Sequence, residues 1–321
     1  MNQAARDWGI PLEQWLDLST GINPRPWPVP EVPIEVWQRL PEDDDGLPAL
    51  ARGWAGAPER AGCLPVAGTQ AAIQTLPRLR APGRIGVPEP AYAEHAEGWR
   101  AAGHEVIPFT ALPSERDLAE LDALVWINPN NPTGESVQAR DLLACHEHLA
   151  GHGGWLVVDE AFIDAEPSQT LVPETWREGL VVLRSMGKFF GLAGLRAGLV
   201  FGPSRICSLL DDLLGPWSVS HPARYLMQQA LADTAWQRAA SDQLHQGHRR
   251  LVTLLRRTGL VSRGSAPYFA YCPHEAPGRV ARTLAAQAVL VRVFDAPGAL
   301  RFGLPGTEPE WAHLERPLRA L

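Results

Sequence analysis

The residues best suited to chemistry begin with a lysine in an apolar, glycine-rich run. Lys188 stands in the sequence Met-Gly-Lys-Phe-Phe-Gly, within the segment 184–198. Burial in such surroundings lowers the pKa of an amine and favours a nucleophile or a Schiff base. Ser185 and Arg196 flank the lysine and are suited to hold a phosphate group. The ordinary alternative is a surface lysine, but two phenylalanines and four glycines surround this one.

Three further segments place polar groups at the ends of predicted strands. The small-residue turn 68–70 precedes a helix, where free amide groups and the helix dipole can seat a phosphate. The loop 128–134 contains two Asn-Pro steps, which favour a rigid, extended loop that presents an asparagine amide. Asp159 ends a fully apolar strand, where an anion is costly unless a cation or a protonated heterocycle meets it. Each segment alone is also consistent with an ordinary turn or helix cap.

Together the four segments predict a site for pyridoxal 5′-phosphate. This cofactor needs a Schiff-base lysine, an acid on its pyridine nitrogen, donors on its phenolic oxygen and contacts for its phosphate. The sequence indicates no metal site. His146, His148 and His152 do not all lie on one helix face; His148 and His152 could share a face, but no third ligand is indicated. The acidic run 42–45 is typical of a solvated loop. Dinucleotide, ATP and serine-hydrolase motifs do not occur in the sequence.

Composition and charge exclude several classes of protein. The 321 residues are 45% hydrophobic and 20% charged, which excludes general disorder. The net charge is −7 and there is no Lys/Arg-rich run, which argues against nucleic-acid and anionic-membrane surfaces. The sequence shows no apolar stretch long enough to span a bilayer, no secretory signal and no Cys-x-x-Cys pair. We therefore expect a soluble, cytoplasmic protein with reduced thiols.

The elements that must position these residues alternate between strands and helices from about residue 63 to residue 202. Apolar runs predict strands at 63–66, 84–87, 105–109, 123–127, 155–158, 180–183 and 197–201. Amphipathic segments at 70–79, 92–102 and 139–150 predict helices between them. This alternation predicts an α/β fold with a mostly parallel central sheet covered on both faces.

A change of pattern after about residue 215 predicts a second, smaller domain. A long helical region, 222–257, precedes strands at 268–272, 289–294 and 300–303, and a last helix begins near Glu308. We expect a large α/β domain over residues 31–215 and a small α+β domain over residues 216–321. The N-terminal segment, residues 1–30, is expected to pack with the small domain.

Four stretches carry a likeness to a known family: Trp15–Pro24, Leu40–Leu47, Asp159–Asp164 and Ser185–Gly198. Through them the chain resembles fold-type I pyridoxal-phosphate enzymes of the aminotransferase class I/II superfamily, over almost its whole length. It is similar in particular to the threonine-phosphate decarboxylases of cobalamin biosynthesis. The resemblance implies a homodimer that converts L-threonine O-3-phosphate to (R)-1-amino-2-propanol O-2-phosphate and CO2. It also implies that the N-terminal segment lies over the substrate.

The resemblance further implies a role for each matched residue. Lys188 would bind the cofactor covalently, Asp159 would pair with its pyridine nitrogen, and Tyr92 would stack on its ring; these are the predicted catalytic residues. The predicted cofactor-binding residues are Gly68, Thr69, Gln70, Tyr92, Asn131, Asp159, Ser185, Lys188 and Arg196. The predicted substrate-binding residues are Ser19, Gly21, Asn23, Asn131, Arg292 and Arg301. Of these, Arg301 matches the arginine that holds the substrate carboxylate, and Arg292 is a further candidate for the substrate phosphate.

The sequence departs from the family pattern at three places. Phe162 stands where aminotransferase relatives commonly have a tyrosine that reaches the phenolic oxygen of the cofactor, although the decarboxylases tolerate phenylalanine. Leu40 stands where many relatives have a tyrosine that crosses the dimer. A His-Gly-Gly segment that usually precedes the residues matching Asn2–Ala5 is absent, which predicts a truncated or misassigned start.

Two other functions are weighed against the decarboxylase. Histidinol-phosphate aminotransferase is disfavoured by Phe162 and by the segment 18–24, Leu-Ser-Thr-Gly-Ile-Asn-Pro. A non-catalytic binding module on the same fold is disfavoured because Lys188, Asp159, Asn131 and Arg196 occur together. The residues can grip two anions, but which substrate bond they align rests on the resemblance. We expect a small-molecule substrate, without nucleic-acid or membrane partners.

Overall fold

The computed structural model describes residues 1–319 and 321. Within these residues, eleven strands form two sheets. In chain order the strands are β1 (Leu16–Leu18), β2 (Ala61–Val66), β3 (Arg84–Pro88), β4 (Glu105–Phe109), β5 (Ala123–Ile127), β6 (Trp155–Asp159), β7 (Leu180–Ser185), β8 (Gly198–Pro203), β9 (Phe269–Pro273), β10 (Val289–Phe294) and β11 (Ala299–Gly303). The larger sheet has the order β2-β8-β7-β6-β5-β3-β4, and the smaller sheet has the order β1-β10-β11-β9.

The larger sheet is mostly parallel, which confirms the predicted α/β fold. Strands β4, β3, β5, β6 and β7 pair in parallel. Strand β8 is antiparallel to both β2 and β7, so β2 runs in the same direction as β7. The predicted strands occur with shifts of no more than two residues at either end.

The helices pack around these sheets. In chain order they are α1 (Asn2–Trp8), α2 (Ile34–Gln38), α3 (Leu47–Ala55), α4 (Thr69–Thr75), α5 (Ala93–Ala101), α6 (Glu115–Leu118), α7 (Ala139–Ala150), α8 (Ser204–Leu214), α9 (His221–Ala232), α10 (Thr234–Arg257), α11 (Pro277–Ala285) and α12 (Glu308–Leu318). Across residues 1–319 and 321, none of the helices has the length and apolar content needed to cross a membrane.

Two of the predicted helices have different bounds. The region 222–257 is not one helix but α9 and α10, because Asp233 lies between them and caps α10. The Asp233 carboxylate accepts a hydrogen bond from the Trp236 N–H at 3.0 Å, as an N-cap residue does. The region 70–79 is α-helical only to Thr75 and continues as a 3-10 turn over Leu76–Leu79. Pro77 in that turn has no N–H with which to extend an α-helix.

Alternate residues of the central strands enter two separate hydrophobic clusters. Val158 and Val182 belong to one cluster, and their neighbours Val157 and Val181 belong to the other. All four side chains are at most 2% exposed. Because both faces of the sheet are covered, polar side chains on these strands are confined to the strand ends. This arrangement places Asp159 and Ser185 at one edge of the sheet.

The N-terminal segment joins the smaller sheet. Strand β1 pairs in parallel with β10, with Leu16 opposite Val289 and Leu18 opposite Val291. The chain then crosses to the larger sheet, where the Asn23 N–H donates to the Lys188 carbonyl at 3.0 Å and the Trp27 N–H donates to the Phe190 carbonyl at 2.9 Å. The predicted domain boundaries at residues 30 and 215 stay predictions.

Candidate active site

The carboxyl ends of β2, β5, β6 and β7 meet at one edge of the larger sheet, because these four strands run in the same direction. The four segments singled out in the sequence follow those strands: the turn 68–70, the loop 128–134, Asp159 and the segment 184–198. This edge is the usual place for ligands in open α/β sheets.

A cavity of about 140 Å³ lies at this edge. The structure brings all nine of the predicted cofactor-binding residues to its wall: Gly68, Thr69, Gln70, Tyr92, Asn131, Asp159, Ser185, Lys188 and Arg196. The remaining wall consists of small and apolar residues, namely Ile127, Ala161, Phe162, Gly187 and Ala193. The cavity therefore has one amine, one carboxylate and several anion-binding groups around a partly apolar interior.

Lys188 presents its amine to the cavity from the loop after β7. Burial lowers the pKa of Lys188, and the Arg301 guanidinium lowers it further. Its Nζ lies 5.5 Å from the centre of the Phe162 ring. Lys188 is also the only lysine in the sequence, since the other 28 of the 29 basic residues are arginines. The only side-chain amine of the whole chain thus lies in this cavity, a signal in the sequence sharper than the glycine-rich setting.

Asp159 is buried at the end of β6 and is held by two hydrogen bonds. Its Oδ2 lies 2.9 Å from the Nε2 of His95, and its Oδ1 accepts from the Ala161 N–H at 3.0 Å. His95 is 2% exposed and was not predicted from the sequence. It lies on α5, three residues after Tyr92, so the spacing of these two aromatic residues was the available signal. The contact fixes the orientation of the carboxylate.

Backbone and side-chain groups of the cavity wall form an anion seat. Gly68 has a φ of +76°, and a Cβ there would lie 2.6 Å from the Arg196 Nη2. A glycine therefore allows the guanidinium to lie against this turn. Helix α4 begins at Thr69, and the first N–H groups of a helix have no partner within it. The Ser185 hydroxyl lies between these elements and accepts from the Gly187 N–H at 3.2 Å.

The side chain of Gln70 contacts Tyr92 and Glu94. The Tyr92 hydroxyl donates to Gln70 Oε1 at 3.2 Å, and Gln70 Nε2 donates to Glu94 Oε2 at 2.5 Å. The Gln70 main-chain N–H, in the first turn of α4, is the group that remains for a phosphate.

Arg301, on β11 of the smaller sheet, contacts the cavity wall through Asn131. Its Nη1 donates to Asn131 Oδ1 at 2.5 Å and its Nη2 donates to the Ser19 carbonyl at 2.8 Å. Its Nε is buried and has no hydrogen-bond partner among the described residues. Burial lowers the pKa of Arg301 to about 10, and the neighbouring Arg292 lowers it further. A buried donor without a partner is costly unless a ligand supplies an acceptor.

The other predicted substrate-binding residues are placed differently. Arg292 lies directly opposite Arg301 in the antiparallel pair β10–β11, so both side chains are on one face. Gly21 is buried where a Cβ would lie 2.8 Å from the Phe269 ring and 3.1 Å from the Phe162 ring. Both ends of the Asn23 amide have a partner within the fold, because its Nδ2 donates to the Phe189 carbonyl and its Oδ1 accepts from the Arg25 N–H. Asn23 thus contacts the lysine loop and is not among the residues of the cavity wall.

A buried ionic cluster lies directly behind the site. Arg184 precedes Ser185 on β7, and its guanidinium donates to Asp164 Oδ1 at 2.7 Å and approaches Glu160 Oε2 at 3.5 Å. Burial raises the pKa of Glu160 to about 7 and also raises the pKa of Asp164. The cluster joins the residues that follow Asp159 to the strand that ends at Ser185, and so fixes the spacing of the two strand ends.

The family model for aminotransferase class I and II matches residues 55–314, most of the chain. The chain belongs to the aminotransferase class I and II family. Two of the three departures from the family pattern are at residues whose surroundings the structure describes. Phe162 is buried against Tyr268 and Phe269 with ring centres 5.3 Å apart, and Leu40 is 61% exposed.

Curated relatives within this family include enzymes of two kinds. The chain is 47% identical to the threonine-phosphate decarboxylase of Pseudomonas aeruginosa over 99% of its own length and 95% of that protein. It is 39% identical to the threonine-phosphate decarboxylase of a Sinorhizobium species, over 95% of this chain and 91% of that one. Identity to the histidinol-phosphate aminotransferase 1 of Dechloromonas aromatica is 28%, over 97% and 91% of the two chains.

Solved structures of the same family share the fold. The histidinol-phosphate aminotransferase of Sinorhizobium meliloti, solved in complex with pyridoxal 5′-phosphate, superposes with a TM-score of 0.83 at 18% identity. The superposition covers 99% of this chain and 94% of that one. At this level of identity the likeness shows the fold alone.

The described residues fit pyridoxal 5′-phosphate. The cavity offers one amine for the aldehyde and a buried carboxylate for the ring nitrogen. Its wall also carries the Ser185 hydroxyl, the Arg196 guanidinium and the turn at Gly68, which leaves room for the guanidinium. The buried Nε of Arg301, which lacks a partner, fits the carboxylate of an amino-acid substrate.

Proposed function

We propose that the protein decarboxylates L-threonine O-3-phosphate to (R)-1-amino-2-propanol O-2-phosphate and CO2, with pyridoxal 5′-phosphate bound to Lys188. The observation that carries the proposal is the 47% identity to a threonine-phosphate decarboxylase over 99% of the chain. The reaction would supply the aminopropanol arm of cobalamin biosynthesis. Location in the cytoplasm and the absence of nucleic-acid partners stay predictions from the sequence.

Different residues would contact different parts of the cofactor. When bound, the cofactor withdraws the electrons of the broken bond into its ring. Asp159, which is oriented by His95, would keep the ring nitrogen protonated because its negative charge stabilises the positive charge of the protonated nitrogen. Asn131 would meet the phenolic oxygen, since its Oδ1 is occupied by Arg301 and its amide N–H groups are the donors that remain. Gly68, Thr69, Gln70, Ser185 and Arg196 would hold the phosphate.

The substrate would be gripped through its two anions. Arg301 offers its buried Nε to the carboxylate, and Arg292, on the same face of the β10–β11 pair, is placed to meet the phosphate. The segment with Ser19 and Gly21 lies over this position, since the Ser19 carbonyl contacts Arg301. Two guanidinium groups on one face suit a substrate with two separate anions better than one with a single anion.

Reaction choice depends on which substrate bond the protein orients for cleavage. An oriented carboxylate would be lost as CO2, whereas an oriented Cα–H would lead to transamination. Arg301 would fix the carboxylate in that orientation. The Lys188 amine would donate a proton to Cα once the carboxylate is lost. Burial lowers the pKa of this amine, so it gives up a proton more readily than an exposed lysine does.

A substrate panel tests the proposal against the aminotransferase alternative. We expect CO2 release from threonine phosphate, and much slower release from threonine, which lacks the second anion. Histidinol phosphate with a keto acid should give no amino-group transfer. Efficient transfer from histidinol phosphate, with no CO2 from threonine phosphate, would contradict the proposal.

Replacing Arg301 with lysine should change the course of the reaction as well as the affinity. Lysine keeps the charge but loses the bidentate geometry that orients a carboxylate. We expect KM for threonine phosphate to rise at least about tenfold and the ratio of amino-group transfer to CO2 release to increase. The ratio is measured from pyridoxamine phosphate and CO2 formed in one reaction. Arg279→Lys, an arginine on α11 outside the cavity, is the control. An unchanged ratio would argue against orientation by Arg301.

The second part of the proposal is a homodimer. Five large apolar side chains are between 52% and 63% exposed: Ile34, Trp37, Leu40, Leu213 and Trp217. The two stretches that carry them are adjacent, because the Arg39 carbonyl lies 3.3 Å from His221 Nδ1. An exposed apolar surface of this kind is typical of a protein–protein contact. We infer that a second copy of the chain covers it, as the family resemblance implies.

Charge placed on this surface should separate the subunits. We expect the 35.1 kDa chain to sediment as a dimer at micromolar concentration, and the double variant Trp37→Glu/Trp217→Glu to sediment as a monomer, because each glutamate would be buried without a partner. Trp8→Glu, at a tryptophan that is 40% exposed on α1, is the control and should stay dimeric. A wild-type monomer with full activity would refute the dimer.

A further inference from the structure

Tyr92 is one of two exposed residues on the cavity wall, the other being Arg196. Tyr92 is 39% exposed and stands at the N-cap of α5, outside both hydrophobic clusters of the larger sheet. Its ring meets the His95 ring edge-on, with centres 6.4 Å apart. Packing alone therefore constrains the ring weakly, and its polar contacts decide where it lies.

Those polar contacts form a chain from Tyr92 to an acid, Glu94, in the first turn of α5. The Tyr92 hydroxyl bonds to Gln70 Oε1 at 3.2 Å, and Gln70 Nε2 donates to Glu94 Oε2 at 2.5 Å. Gln74 Nε2 donates to the same Glu94 oxygen at 3.2 Å. Glu94 thus joins both glutamines of α4 to the helix that carries Tyr92.

The acid determines which end of the Gln70 amide faces Tyr92. An ionised carboxylate only accepts hydrogen bonds, so Glu94 must receive the NH2 end of the amide. The carbonyl end is then turned to Tyr92, and the Tyr92 hydroxyl must donate to it. Without Glu94 the amide could rotate, and Tyr92 would lose its fixed partner.

We propose that Glu94 and Gln70 are positioning residues that hold the ring of Tyr92 at the cofactor position. The inference rests on the proposed function in one respect, that Tyr92 lies against the cofactor ring. Neither Glu94 nor the Gln70 side chain needs to touch substrate or cofactor for this role. The role differs from the phosphate contact that the sequence predicts for Gln70, which its main-chain N–H can still make.

Positioning by Glu94 predicts that its removal weakens cofactor binding, whereas a purely electrostatic role for Glu94 predicts that its removal strengthens cofactor binding. Glu94 is an anion near the seat proposed for the cofactor phosphate, so its removal should strengthen phosphate binding if charge alone mattered. Glu97 supplies a matched control, because it is exposed on the same helix and acts on Tyr92 through charge alone. Positioning therefore predicts weaker cofactor binding for Glu94→Ala and little change for Glu97→Ala.

The experiment measures pyridoxal 5′-phosphate binding to the full-length apoprotein by absorbance, and the circular dichroism of the bound cofactor in the visible range. We expect Glu94→Ala to raise the dissociation constant about fivefold, the worth of one net hydrogen bond, and to reduce the dichroic band. Glu94→Gln should do the same to a smaller extent, because its amide lets Gln70 rotate. Glu97→Ala should change the constant by less than about twofold.

A double-mutant cycle separates positioning from general damage. In a Tyr92→Phe background there is no hydroxyl to hold, so Glu94→Ala should add no further loss. Tighter or unchanged binding in Glu94→Ala, or an equal loss in the Tyr92→Phe background, would overturn the inference. These measurements need no amino-acid substrate, so they remain valid if threonine phosphate is not decarboxylated. Failure of the wild-type protein to bind the cofactor would instead refute the proposed function.

Discussion

Replacing Lys188 with alanine should abolish decarboxylation, with a loss of about a thousandfold or more. The variant would lack both the amine that binds the cofactor and the group that returns a proton to Cα. Its cofactor should bind without a covalent bond and be removed by dialysis. The measurements are CO2 release from threonine phosphate and the absorbance of the protein before and after dialysis.

Borohydride reduction shows which amine carries the cofactor and so gives the control for this variant. The chain has a single lysine, so a reduced cofactor can be attached only at Lys188 or at the α-amino group of Met1. Wild-type protein should carry one label per chain on the peptide that contains residue 188, and Lys188→Ala should carry none. A label at Met1 in both proteins, or normal turnover in the variant, would contradict the assignment.

Replacing Asp159 with asparagine should reduce kcat/KM by about two to four orders of magnitude. Asparagine keeps the size of the side chain but removes the charge that would balance a protonated ring nitrogen. Loss of one member of a buried ion pair costs about 3–5 kcal/mol, which corresponds to about 10²- to 10⁴-fold in rate or affinity. Cofactor affinity should fall in parallel, which is measured by titration of the apoprotein.

Glu166→Gln is the matched control for this change. Glu166 is an exposed acid seven residues after Asp159 and outside the cavity, so its neutralisation should leave turnover within about twofold. His95→Gln should weaken cofactor binding less than Asp159→Asn, because it removes the hydrogen bond to the Asp159 carboxylate but not the carboxylate charge. Normal activity of Asp159→Asn would mean that the end of β6 faces something other than the cofactor.

The parts of the site that depend on strand ends were predictable from the sequence. Asp159, Ser185 and the loop with Asn131 follow apolar runs whose direction in a parallel sheet is fixed by the alternation of strands and helices. Chain position alone therefore brings these groups to one edge. The break at Asp233 between α9 and α10 was missed because the apolar periodicity continues across it, although its capping side chain is visible in the sequence.

Contacts between side chains of distant segments were not predictable in the same way. The pairing of His95 with Asp159 spans 64 residues, and that of Arg301 with Asn131 spans 170 residues. Their formation depends on how α5 and β11 are packed, which periodicity does not determine. The Arg301 Nε that has no partner among the described residues and the orientation of the Gln70 side chain towards Tyr92 likewise depend on packing. The sequence indicates which residue types are available, and the fold selects the hydrogen bonds that each makes.

The most direct test of decarboxylation is the number of turnovers without a keto acid. Enzyme, bound cofactor and excess threonine phosphate are mixed in D2O, and CO2 and the product are quantified. We expect many CO2 molecules per active site, and aminopropanol phosphate with one deuterium on the carbon that carried the carboxylate, delivered through the exchangeable Lys188 amine. A reaction that stops after one turnover with the cofactor converted to pyridoxamine phosphate, and resumes when a keto acid is added, would identify an aminotransferase instead.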